Sequence, residues 1–161
     1  MNGSGYGGWR GFLLALCASL ACLTAHADTD ACTLATSAQI SAAIGVAVGD
    51  GTHVTPTFVK TCTWTPKVSS SIKAVTVNVQ TAGFYDGAKQ MAVKTAAAVP
   101  ADQFKTASVG DDGFYNVSGE LAALFFKKGG SSVKVAVYAR MPIDQIEAME
   151  LAIARQVATK L

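Results

Sequence analysis

The hydrophobic positions of this chain change period from two to 3.6 and back, and that change predicts an α+β domain. Val75, Val77 and Val79 alternate with Thr76 and Asn78, the pattern of a half-buried strand running from Ile72 to Thr81. Phe58, Cys62 and Trp64 share one parity. They are expected to line one side of a strand from about Val54 to Thr65, with Pro56 at an edge or bulge. Three more strands are expected near Gly113–Val117, Glu120–Lys127 and Val133–Ala139, the last two joined by the hairpin Lys128-Gly129-Gly130-Ser131.

Three helices complete the pattern. Thr36-Ser37-Ala38-Gln39 reads as a capping box opening a helix from Ser37 to Ile44, and Gly45 supplies the left-handed stop. Asp86 can cap a second helix, Gly87 to Val99, which Pro100 closes; its stripe is Ala88, Met91, Ala92, Thr95 and Val99. The third starts near Pro142 or Ile143 and runs almost to Leu161. Ile146, Met149, Ile153 and Val157 recur there at helical spacing, while Asp144, Glu147 and Glu150 lie toward the N-terminal half, as the macrodipole favours. The expected architecture is an antiparallel sheet of about six strands with three helices packed on it.

The pattern also matches itself without gaps at an offset of 61 residues. Val48-Gly49-Asp50 falls on Val109-Gly110-Asp111, Trp64 on Phe125, and Ser70-Ser71-Ile72-Lys73 on Ser131-Ser132-Val133-Lys134. Residues 46–99 and 107–160 therefore read as internal repeats of turn, strands and helix. Each copy is too small to bury a core alone, so the two are expected to share one sheet.

The N-terminal 27 residues carry a different signature. An apolar run from Gly11 to Leu23 follows a segment whose only charge is Arg10, and Ala25-His26-Ala27 forms a small-x-small cleavage site. Cleavage is expected between Ala27 and Asp28, which makes residues 1–27 a signal peptide and 28–161 a single domain in the periplasm or outside the cell. The run is short for a stable transmembrane anchor. Lipidation at Cys22 would want an apolar residue where Ser19 stands, and Cys17 follows the bulky Leu16.

Composition narrows the chemistry. Without Arg10 the chain holds 12 basic and 11 acidic residues, with no basic stripe, which argues against nucleic acid. Loss of the leader leaves two cysteines, Cys32 and Cys62, in an oxidising compartment, where a disulfide is the expected state. Closing a loop of this length stabilises a fold by ~3–4 kcal/mol in the chain-entropy account. No metal site is expected, because His53 is the only histidine left and its spacing from other ligand types suggests no partner. Asp111-Asp112 lacks the alternating oxygen ligands of a calcium loop. Ser70-x-x-Lys73 and Ser131-x-x-Lys134 fit a nucleophile motif that works on helices, yet both enter strands, where positions i and i+3 face opposite ways. Tyr85, Tyr115, Tyr138 and Phe84 could line a binding surface or pack as core. Asn116-Val117-Ser118 is a glycosylation sequon in a eukaryotic setting only. No catalytic residue and no cofactor are expected.

Ala31-Cys32-Thr33-Leu34-Ala35-Thr36, the helix ending in Ile44-Gly45, Cys62-Thr63-Trp64 and Val109-Gly110-Asp111-Asp112-Gly113-Phe114-Tyr115 together resemble a group of bacterial secreted and lipoprotein domains of unknown function. Those domains carry Cys-x-Leu-Leu-Thr, Cys-x-Trp and a Val-Gly-Asp-x-Ala-Tyr turn. This chain departs from them with Ala35 for the second Leu and Gly113 for the Ala. The resemblance implies a cell-envelope location and an α+β fold, and it implies no reaction. Three functions fit: a binding or accessory module for an unknown protein or small molecule of the envelope, an inhibitor or immunity-type partner, and a small enzyme with an unrecognised site.

Overall fold

Seven antiparallel strands form one sheet in the computed structural model of the protein, which describes residues 29–98 and 103–161. A 3₁₀ turn (Ala31–Thr33) and α1 (Ser37–Ile44) come first, then β1 (Thr52–His53), β2 (Thr61–Trp64), β3 (Ile72–Thr81) and α2 (Ala82–Ala98). The chain continues with β4 (Phe104–Thr106), β5 (Asp112–Ser118), β6 (Leu121–Lys128), β7 (Ser131–Ala139) and α3 (Ile143–Ala158). Across the sheet the order is β1-β2-β3-β7-β6-β5-β4. β3 and β7, the two longest strands, lie side by side at the centre and pair along nearly their whole length. The expected Ala27–Asp28 cleavage site and the Val99-Pro100 helix end lie outside the described residues.

Strand alternation divides the side chains between two faces. On one face Cys62, Trp64, Val75, Val77, Leu124, Phe126, Val133 and Val135 form a continuous core with Ile40 and Ile44 of α1 and Ile146, Ile153 and Val157 of α3. On the other face Phe114 and Phe125 meet Tyr85 and Ala92 of α2 in a smaller, separate cluster. The two faces are thus covered by different helices. α2 follows β3 with no intervening residue, whereas Arg140-Met141-Pro142 links β7 to α3.

Local chemistry explains the best-defined elements. The Thr36 hydroxyl accepts the Gln39 N–H at 3.2 Å, and the Gln39 side chain accepts the Thr36 N–H at 2.9 Å. Both ends of the first turn of α1 are thereby satisfied. Gly45 ends the helix at φ 70°, where a side chain would be strained. Cys32 and Cys62 form the disulfide, with Cα atoms 4.9 Å apart. It ties the turn before α1 to β2.

Several expectations are corrected. The strand expected from Val54 to Thr65 is broken. Only Thr52–His53 and Thr61–Trp64 are extended and paired, and Phe58 sits in an exposed turn rather than beside Cys62 and Trp64. Phe58 N–H bonds Thr55 O at 3.0 Å, a turn that Pro56 favours at its second position. α2 starts at Ala82, so Asp86 lies inside the helix and does not cap it. Its inward stripe is Tyr85, Ala88 and Ala92, while Met91 is 69% exposed. β4 and the separate β1 bring the strand count to seven, because pieces of two or three residues show no readable alternation. Trp64 and Phe125, superposed by the 61-residue offset, point to opposite faces and belong to different clusters.

Candidate functional site

The chemistry-bearing side chains collect on the α2 face. Phe104, Phe114 and Phe125 from three adjacent strands stack with ring centres 5.3 and 5.1 Å apart, and Tyr85 meets Phe114 edge-on at 5.4 Å. Such contacts add about 0.5–1.5 kcal/mol each beyond area burial. They form a floor beneath the first turns of α2. Above it stand Lys89 and Lys127, whose ammonium groups lie 5.8 and 5.5 Å from the Tyr85 ring centre. Lys89 pairs with Asp112 at 2.5 Å, and Lys127 reaches Asp86 at 3.4 Å. Two strands and a helix therefore converge on one phenol, two lysines and two aspartates. A hollow of about 640 Å³ opens beside them, lined by Asp86, Lys89, Gln90, Val93, Lys94 and Asp112.

The electrostatics assign roles. Burial, then the neighbouring Asp112 carboxylate, pushes the Tyr85 phenol above its ordinary range. Its hydroxyl faces Asp112 without a well-formed hydrogen bond. The Lys89 ammonium holds the Asp112 carboxyl below the usual carboxylate range, against a smaller opposing effect of burial. Tyr85 is thus a neutral donor, Asp112 an anion and Lys89 its counter-ion. Donor, anion and cation lie within one cluster.

Beyond the aromatic floor the same face is open. Thr61, Thr63, Thr76 and Asn78 stay partly exposed on β2 and β3, with Asn78 donating to Thr61 at 2.6 Å. Lys134 borders them, 5.5 Å above the Phe125 ring. Phe84 and Met91 on α2 and Tyr138 on β7 add exposed apolar surface.

The residues singled out in the sequence scatter differently. His53 is not partnered by the nearby Asp50; its Nε2 meets Asp30 at 2.8 Å across 23 positions. Asp50 instead accepts from Ser37 at 3.2 Å. Asp30, His53 and Cys32 place candidate ligand atoms within 4.8 Å of one another, but the Cys32 sulfur is committed to the disulfide. What remains is a two-residue clamp. Asp30 also accepts the Cys32 N–H at 2.8 Å, and hydrogen bonds from His53 and Cys32 lower its pKa. In Ser70-x-x-Lys73 the serine hydroxyl donates to Ile72 O at 2.8 Å and the lysine to Ser70 O at 3.1 Å, so no Ser–Lys dyad forms. Lys134 of the second motif lies over Phe125. Tyr115 and Tyr85 are buried, whereas Phe84 and Tyr138 are exposed.

The Val109-to-Tyr115 turn is structural. Gly110 takes φ 65°, and a Cβ there would lie 2.4 Å from Lys127 O. Asp111 accepts the Gly129 N–H at 2.7 Å and the Lys128 ammonium at 3.2 Å, which lowers its pKa and clamps the turn to the β6–β7 hairpin. A Cβ on Gly113 would fall 2.8 Å from Ala107 O, a local reason for glycine at this position.

The Lys89–Asp112 pairing and the burial of Glu150 escape sequence reasoning. Lys89 and Asp112 meet across 23 positions, with no local signal. Glu150 stands on the inward stripe of α3, four residues after Ile146 and three before Ile153, and is fully buried despite its carboxyl. Comparison with family models, with curated proteins and with solved structures returned no match.

Proposed function

We propose that the protein is an exported, non-catalytic binding or accessory domain of the cell envelope that engages its partner through the α2 face of the sheet. The observation that carries this reading is the unequal covering of the two faces. One is sealed by α1 and α3, while on the other α2 seats Tyr85, Ala88 and Ala92 and leaves polar β2 and β3 positions open beside the Tyr85–Lys89–Asp112 group. Exposed apolar side chains beside ion pairs and hydrogen-bonding strand positions match the mixed character of non-obligate interfaces. The leader pattern and the disulfide support export. The commitment of the Ser70 hydroxyl to Ile72 O and of Lys73 to Ser70 O supports a non-catalytic role for that motif.

Retention of components from an envelope extract on immobilised mature protein tests the reading. Asn78→Arg and Met91→Glu, each on the open face, should abolish retention of a specific component that Ala148→Arg on α3 leaves unchanged. Equal retention by all three variants would exclude the α2 face as the site.

A further inference from the structure

A buried carboxyl occupies a split in the sheet. Regular pairing of β6 with β7 runs only from Leu124↔Val135 to Lys128↔Ser131. Beyond it β6 stays with β5, through Ala122↔Val117 and Leu121↔Ser118, and β7 stays with β3, through Val137↔Val75 and Tyr138↔Ala74. The two strands therefore part where Val137 would seek a partner on β6. Glu150 of α3 enters that gap. Its Oε1 accepts the Val137 N–H at 3.0 Å. Oε2 is buried without a partner, in a residue of zero exposure. At the open end of the split lies a hollow of about 390 Å³ lined by Gly119, Glu120, Arg140, Met141, Pro142 and Ile143.

The surroundings oppose a charge there. Glu147 on α3 adds like charge, Lys134 on β7 is the compensating cation, and the Tyr115 hydroxyl from β5 donates to Glu147 O at 2.9 Å. Arg155 of α3 and Glu147 both act on Tyr115, and Lys105 of β4 pairs with Glu147 at 2.9 Å. Desolvation is the main effect. It raises the Glu150 pKa to about 8, with the Val137 hydrogen bond opposing it.

We propose that Glu150 is a proton-controlled latch between α3 and the β6–β7 split. Neutral, the carboxyl joins Val137 to the helix. Ionised, it draws water through the open end of the split and loosens α3 from both strands. The sign follows from linkage: the closed form binds the proton more tightly than the open form, so closure is strongest at low pH and is lost as pH rises through the closed-state value.

Amide hydrogen exchange at Val137 in the mature protein, corrected for the intrinsic pH dependence of exchange, tests the latch. The opening constant should rise about tenfold per pH unit from pH 5.5 to about 8 and level off above, as a single linked proton requires. Glu150→Gln, which keeps the acceptor and cannot ionise, should flatten the profile. A flat profile in the wild type, or the same slope in Glu150→Gln, overturns the proposal. If that variant does not fold, the carbon-13 titration of the Glu150 carboxyl in the wild type decides. A midpoint near 8 upholds the latch, and one in the ordinary carboxylate range overturns it.

Discussion

The two faces of this sheet are made by the same strands, one residue out of step, and they have opposite characters. The face toward α1 and α3 is dry and continuous from Cys62 and Trp64 to Phe126 and Val135. The face toward α2 is divided into an aromatic floor, a ring of paired charges and an open polar stretch. The second face contributes less to holding the fold than the first, because open polar strand positions and exposed apolar side chains add little stability. The disulfide follows the same division, since Cys62 belongs to the sealed face and the loop it closes anchors α1.

That division can be broken by mutation. The largest effect is expected for Trp64→Ala, a loss of about 3–5 kcal/mol from cavity and transfer terms. Phe125→Ala should fall below it, because Phe125 is 8% exposed at the rim of the smaller cluster. Urea denaturation of both variants measures the gap, and a larger loss at Phe125 would reverse the ranking of the faces. Next comes the paired change Cys32→Ser with Cys62→Ser, expected to cost about 3–4 kcal/mol for a loop closed across 30 positions. Reducing the native protein before denaturation should reproduce that loss without any mutation.

Smaller effects sharpen the α2 side. Lys89→Ala breaks the ion pair with Asp112, but both side chains are more than a third exposed, so no more than about 1 kcal/mol of stability is expected to go with it. A larger thermal shift would mean that the pair supports the floor beneath it. Acid should act chiefly through Asp30, Asp111 and Asp112, whose pKa values are lowered by His53, Gly129 and Lys89 respectively. A depressed pKa contributes stability above its unfolded value and loses it as pH falls through the folded one. Thermal melts should therefore decline below about pH 4, and Asp30→Asn should shallow that decline. The smallest change is expected for Met91→Ser, within about 0.5 kcal/mol in denaturant. That variant would separate binding from folding.

Legibility in the sequence followed the range of the interaction. The capping box of α1, its Gly45 stop, β3 and the β6–β7 hairpin were all readable, because each depends on side chains within a few positions of one another. The break in the expected Val54–Thr65 strand was half readable: Pro56 marked an irregularity, yet parity alone kept Phe58 with Cys62 and Trp64. The start of α2 was missed because Asp86 looked like a cap, whereas the helix begins directly at the end of β3, where Ala82 N–H bonds Gly130 O at 2.9 Å across the sheet. The candidate site was barely legible. Tyr85, Lys89, Asp112 and Lys127 come from three elements, and no spacing rule joins them.

By itself the sequence determined the α+β class, the order of the main elements and which two cysteines could pair, because periodicity, caps and turns are short-range properties of the chain. Only the tertiary structure decided which face each helix covers. A strand's alternation distinguishes two faces without saying which one a helix will seal. The same limit hid Glu150: its side chain is polar although it stands on the inward stripe of α3, and only the parting of β6 and β7 leaves the Val137 N–H for its buried carboxyl to accept.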